Sequence, residues 1–219
     1  MVEFVKAELD SVKNEAESKP ILTADCRRIA GKLLRKLKGE SADYIFSICE
    51  ELLKEQSWAM GVTAYSLANR LSPRYEKRHF ETFEHWLENY VKGWGDCDDF
   101  CTHAFGELIC QHTDLVTNIT SWTQREEFWM RRASAVILLP SINKGLYSKT
   151  MPLIIADLLM HDTHELVRKG YGWMLKNLSI PEPNLVYKYL LANKDTMPRT
   201  AFRYALQKLD VDKRQVLMG

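Results

Sequence analysis

The chain has 219 residues, 46% of them hydrophobic and 27% charged, proportions ordinary for a soluble globular protein. A formal net charge of +1 argues against a uniformly basic nucleic-acid binder. No apolar run approaches the ~18 residues of a bilayer span, and only 10 glycines and 7 prolines argue against a turn-rich β architecture.

Residues 2–16 place Val2, Val5, Leu9 and Val12 on one stripe of an amphipathic helix, and Glu17–Pro20 is expected to break it. Asp25 reads as the cap of a second helix with Ile29, Leu33, Leu34 and Leu37 inward, closing near Gly39. Ser41 and Asp43 open a third, with Ile45, Ile48, Leu52 and Leu53 inward. A fourth runs from Trp58 to Leu71 and stops at Ser72–Pro73; a fifth spans Lys77–Val91. The stretch Lys92–Cys110 then starts a sixth, with Trp94, Gly95 and three carboxylates, Asp96, Asp98 and Asp99, ahead of Phe100, Ala104 and Leu108. Asp114–Ile119 reads as a short helix or turn. Phe128–Leu139 is a strong helix that Pro140 is expected to end. Met151–Met160, His164–Leu178, Pro181–Ala192 and Pro198–Leu209 complete the series.

About a dozen helices with short connections, paired at roughly 35–45-residue spacing, match the HEAT or armadillo pattern. The reading is an all-α, HEAT-like/armadillo-like helical repeat solenoid with a concave DNA-binding face, one domain over residues 1–219. A compact helical bundle is the alternative.

Charge is unevenly spread. Residues 1–120 carry 15 Lys and Arg against 20 Asp and Glu, whereas residues 121–219 carry 15 against 9. A basic half can dock on a polyanion while an acidic half faces away, although solvated helical proteins often show such asymmetry. The five cysteines (26, 49, 97, 101 and 110) form no CxxC pair, and no histidine stands at zinc-finger spacing. They read as reduced, buried thiols of a cytoplasmic protein. His103, His112, His161 and His164 show no metal pattern, and no cofactor is expected. The charged N-terminus resembles neither a signal peptide nor a membrane segment. Nothing in the pattern suggests a coiled coil, and a monomer is expected.

Alone, Asp96–Asp99 before an apolar run reads as helix capping. Four motifs alter that reading: Trp94-x-x-Cys97-Asp98, Trp129-x-x-Arg132-Ala133, Val167-x-Lys169-Gly170-x-Gly172-Trp173-x-Leu175-Lys176, and Met197-Pro198-Arg199-x-x-x-Arg203-x-Ala205. In this order and spacing they resemble the DNA alkylation repair family of HEAT-like-repeat glycosylases, the AlkD-like proteins, over roughly residues 20–210.

The resemblance implies excision of N3- or N7-alkylated purines from double-stranded DNA, with no membrane involved. It implies Asp98 as the catalytic carboxylate, Trp94 and Trp173 as its aromatic partners, and Arg132 on a phosphate. Gly95 stands where some members carry a second tryptophan, and Lys176 where the family often has arginine. Adjacent aspartates leave two registers open, Asp98 and Asp99. Arg131, Lys144, Lys149, Arg168, Lys169 and Arg199 are further candidate phosphate contacts. Without the resemblance, Trp173 would read as core and Arg132 as a solvated helix arginine. Trp129 is assigned to the core, and Trp58, Trp86 and Trp122 also read as structural. The other functional readings are a non-catalytic HEAT-like module that binds DNA structures and a protein-interaction solenoid.

Overall fold

The computed structural model describes residues 1–15 and 20–219. Among them all regular structure is helical. The break expected over Glu17–Pro20 lies outside the described residues except for Pro20. The described residues form two compact units, Met1–Leu108 and Ile109–Gly219. By sequence the first carries 15 Lys and Arg against 19 Asp and Glu, and the second 15 against 10.

The first unit contains α1 (Val2–Glu15), α2 (Thr23–Lys36), α3 (Ala42–Lys54), α4 (Trp58–Asn69), a 3-10 turn at Ser72–Arg74, α5 (His79–Asn89) and α6 (Trp94–Thr102). α7 (Ala104–Gln111) follows. Side-chain caps fix several starts. The Ser41 hydroxyl accepts from the Tyr44 N–H at 3.1 Å, and Ser57 accepts from Met60 at 3.4 Å. Asp25 proves to be the third residue of α2 rather than its cap, and its carboxylate accepts from the Leu22 N–H at 3.1 Å. α4 packs on α2, α3 and α6. The core between these helices is aromatic: Phe83 contacts Phe46, Tyr75, Trp86, Phe100 and Phe105, mostly edge to face. Tyr65 stacks on Phe100 with centroids 4.5 Å apart, which seats α4 on α6.

The single sixth helix expected from Lys92 is two. His103, at φ −123° and ψ −97°, leaves helical geometry and separates α6 from α7.

The second unit begins with an extended 3-10 stretch, Thr113–Gln124, followed by α8 (Phe128–Val136) and α9 (Leu139–Lys144). Pro140 does not stop α8 but lies in the first turn of α9, where its missing N–H has no helical partner to lose. Gly145, at φ +72°, closes α9 in the left-handed region. Then come α10 (Met151–Leu158), α11 (Glu165–Leu178), α12 (Pro183–Ala192), α13 (Arg199–Ala205) and α14 (Val211–Met218), the last not anticipated from sequence. α11 is the centre of this unit, packing against α8, α9, α10 and α13. Two glycines allow the close approach. A Cβ at Gly172 would lie 2.8 Å from both the Ala201 carbonyl oxygen and the Tyr204 Cβ of α13, and one at Gly170 would lie 3.2 Å from Arg132 Cγ on α8.

All five cysteines are free and buried, as their spacing suggested. Among the described residues no helix is long and apolar enough to cross a membrane.

Candidate functional site

The three carboxylates of α6 point in different directions because the helix turns about 100° per residue. Cys97, Phe100 and Cys101 are its buried face. Trp94 and Asp98, four apart, share one outward face, while Asp96 and Asp99, three apart, share another. Trp94 is 56% exposed and Asp98 half-buried. The Thr102 hydroxyl, one turn on, donates to the Asp98 main-chain carbonyl at 2.6 Å.

Asp99 is committed elsewhere. Arg27 of α2 donates to its carboxylate at 2.9 Å, and His103 Nδ1 lies 3.6 Å away. The two sit at a polar recess of about 250 Å³ with Tyr65, Ser66, Asn69, Arg70 and His103. Asp96 lines a second recess with Trp58, Tyr65, Tyr90 and Lys92. Burial pushes its carboxyl above the usual range, opposed by a hydrogen bond from the Lys92 N–H and reinforced by the charge of Asp99. The space beside Gly95 is open, with nothing within 4 Å of a Cβ there.

In the second unit the residues of the third motif divide by direction around α11. Gly170 faces α8 and Gly172 faces α13. Lys169, Trp173 and Lys176, at i, i+4 and i+7, share a half-exposed face. Trp173 is therefore not a core residue. Lys169 pairs with Glu165 at 2.7 Å on the surface, and that contact holds its ammonium pKa above the ordinary value. On α13, Arg199 and Arg203 are exposed, four apart on one face.

The arginines of α8 lie differently from the sequence expectation. Arg132 is only 5% exposed: its Nη1 donates to the Leu166 carbonyl of α11, and its side chain lies against Gly170. Arg131 pairs with the buried Asp162 at 2.6 Å and donates to the Arg125 and Glu126 carbonyls. Arg168 donates to the Asp162 carbonyl at 2.6 Å. All three brace α8, α11 and the loop before it. Lys144 is exposed, and Lys149 is paired with Glu182 at 2.7 Å. Among the described residues, no cluster of three or more His, Cys, Asp or Glu is arranged to hold a metal ion.

Of the remaining tryptophans, Trp86 and Trp122 are buried as expected, whereas Trp129, expected in the core, is only half-buried, with Phe128 edge-on to it at the start of α8. Trp58 departs from the expectation of a structural role. It is the first residue of α4 and 49% exposed. The sequence signal was Ser57: a residue immediately after an N-cap serine stands at the helix mouth.

The fold is shared with solved structures. A predicted DNA alkylation repair enzyme from Enterococcus faecalis matches at a TM-score of 0.77 and 17% identity, covering 87% of each chain. AlkD2 from Streptococcus mutans matches at 0.66 and 19% identity, covering 94% of this chain and all of that one. The smu.31 protein of Streptococcus mutans UA159 matches at 0.65, with the same identity and coverage. No curated protein matches the sequence. The family model described as DNA alkylation repair enzyme matches residues 7–209. Nearly the whole sequence fits that model, and the chain belongs to the DNA alkylation repair enzyme family.

Proposed function

We propose that the protein is a monofunctional DNA glycosylase that hydrolyses the N-glycosidic bond of N3- and N7-alkylated purines in double-stranded DNA. The observation that carries this reading is on α6: Asp98 and Trp94 are one turn apart on an outward face, while Arg27 engages Asp99.

An alkylated purine is already cationic, so its departure needs little acid assistance. As the C1′–N bond breaks, the bonding electron pair leaves with the base and neutralises it, and positive charge builds on the deoxyribose. Asp98 is suited to stabilise that charge and to orient a water toward C1′. The water oxygen bonds to C1′, and its proton passes to the carboxylate and then to solvent. Indole faces favour a cation by roughly 0.5–2 kcal/mol each, the role proposed for Trp94 beside Asp98; Trp173 is proposed to meet DNA on the surface of the second unit. Exposed Lys144 and Arg199 and half-exposed Lys169 are the proposed phosphate contacts, with Arg203 added. Arg131, Arg132 and Arg168, bound into the helix packing, serve instead to hold the surface that carries Lys169 and Trp173. The protein works as a single domain and a monomer in this reading.

The test is the release of free N3-methyladenine or N7-methylguanine from methylated duplex DNA. DNA binding without base release would support the other reading, a DNA-binding module that cuts no bond.

A further inference from the structure

The opposite side of α6 from Asp98 borders a recess that the proposed chemistry does not use. It encloses about 190 Å³, lined among others by Trp58, Gly61, Tyr65, Tyr90, Lys92 and Asp96. Its volume is below the ~300 Å³ lower end for drug-sized ligands, and it suits one flat ring system. Trp58 presents a half-exposed indole at the mouth, where Ser57 caps the helix start. Gly61 leaves the floor open down to Tyr65, whose ring would be 3.9 Å from a Cβ there. Tyr65 is held by its stack on Phe100, and Tyr90 by its hydroxyl donating to Glu50 at 3.1 Å. Gln56, at φ +52°, turns the chain into the recess from the left-handed region. The carboxylate of Asp96 is half-buried and accepts a hydrogen bond from the Lys92 N–H.

A half-exposed indole, the half-exposed ring of Tyr90 above a buried Tyr65, and a carboxylate held by the Lys92 N–H around a ring-sized space are the elements of a site for a planar cation. The indole and phenol faces attract positive charge and stack on an aromatic ring. The carboxylate supplies the countercharge in a partly desolvated position, where it acts more strongly than in water. A neutral base would gain the stacking but not the charge. Lys92, also in the lining, repels a cation in proportion to its charge, so a monocation is disfavoured less than a dication.

We infer that the Trp58–Tyr90–Asp96 recess is a binding site for a cationic alkylated purine, separate from the Asp98 face. The choice of an alkylpurine over other planar cations rests on the proposed function; the preference for a planar cation rests on the recess alone.

The test is calorimetric titration of the intact protein with 7-methylguanosine, slightly below neutral pH, against guanosine as the uncharged control. Two variants accompany it: Trp58→Ala, at an exposed position where folding is not at stake, and Asp96→Asn, of equal shape. The methylated nucleoside is expected to bind at least tenfold more tightly than guanosine. Trp58→Ala should weaken it by about 2- to 30-fold, the range of one cation–π contact. Asp96→Asn should weaken it roughly tenfold and remove the preference over guanosine. Equal affinity for the two nucleosides, unchanged affinity in both variants, or no binding of 7-methylguanosine would overturn the inference. Base release from methylated DNA by a protein that binds no nucleoside overturns this site alone. Nucleoside binding without base release sustains the site and contradicts the glycosylase reading.

Discussion

Asp98 and Asp99 are adjacent in sequence and have separate environments. Arg27 donates to Asp99 at 2.9 Å, so Asp99→Asn removes an ion pair linking α2 and α6. The pair is only part-buried, and its loss should cost at most about 1 kcal/mol in chemical denaturation, with base release retained. Asp98→Asn should leave DNA affinity nearly unchanged and lower base release at least ~100-fold, as removal of a preorganised electrostatic group does elsewhere. Arg132 is the residue whose sequence reading and position differ most. Its guanidinium satisfies the Leu166 carbonyl inside the second unit. Arg132→Met should therefore destabilise the protein by about 1–3 kcal/mol through loss of a buried charged hydrogen bond to that carbonyl. It should leave the salt dependence of DNA binding unchanged. A phosphate-contacting arginine would instead lower the slope of log K against log salt by about 0.9. Fluorescence anisotropy at several salt concentrations separates the two.

At the scale of elements, the glycines of α11 govern how it seats. Gly172→Ala places a Cβ 2.8 Å from the Ala201 carbonyl and the Tyr204 Cβ, both backbone or near-backbone atoms with little freedom to move. It should cost about 1–3 kcal/mol by overpacking. Gly170→Ala meets the Arg132 side chain at 3.2 Å; side-chain adjustment should make it the milder change in the same urea titration. α2 depends on Asp25, whose carboxylate accepts from the Leu22 N–H and pairs with Arg28 at 2.9 Å. These contacts, the Leu22 hydrogen bond foremost, hold its pKa below the ordinary 3.8. A depressed carboxylate pKa stabilises the fold above the unfolded value, and the contribution disappears as pH falls through the folded value. Asp25→Asn should accordingly lower the melting temperature at neutral pH, with the difference from wild type vanishing well below pH 3.8.

Helix positions were legible because apolar periodicity and Ser or Pro punctuation are local signals. Ser41 caps where it was expected to open a helix. The failures were at points where the deciding contact is non-local or the local signal is ambiguous. Pro140 is equally compatible with ending α8 and starting α9. The break at His103 lies within an unbroken apolar pattern. The direction of Arg132 depends on the proximity of Gly170, 38 positions further on in the sequence.

For the whole molecule, the charge asymmetry read from sequence follows the two compact units, the second being the more basic. No composition shift marked their division because it falls within α7 rather than at a linker. All-helical architecture and family membership were legible, since apolar periodicity is a local signal and the family model matches residues 7–209. Which carboxylate Arg27 engages was not, because Asp98 and Asp99 differ only by one 100° step around α6 and the partner is 72 positions away. The central claim concerns that step and is tested by mass-spectrometric detection of free alkylbase from methylated duplex DNA. Wild type and Asp99→Asn are predicted to release N3-methyladenine or N7-methylguanine while Asp98→Asn does not. Undiminished release by Asp98→Asn, or none from the wild-type protein, would contradict the account.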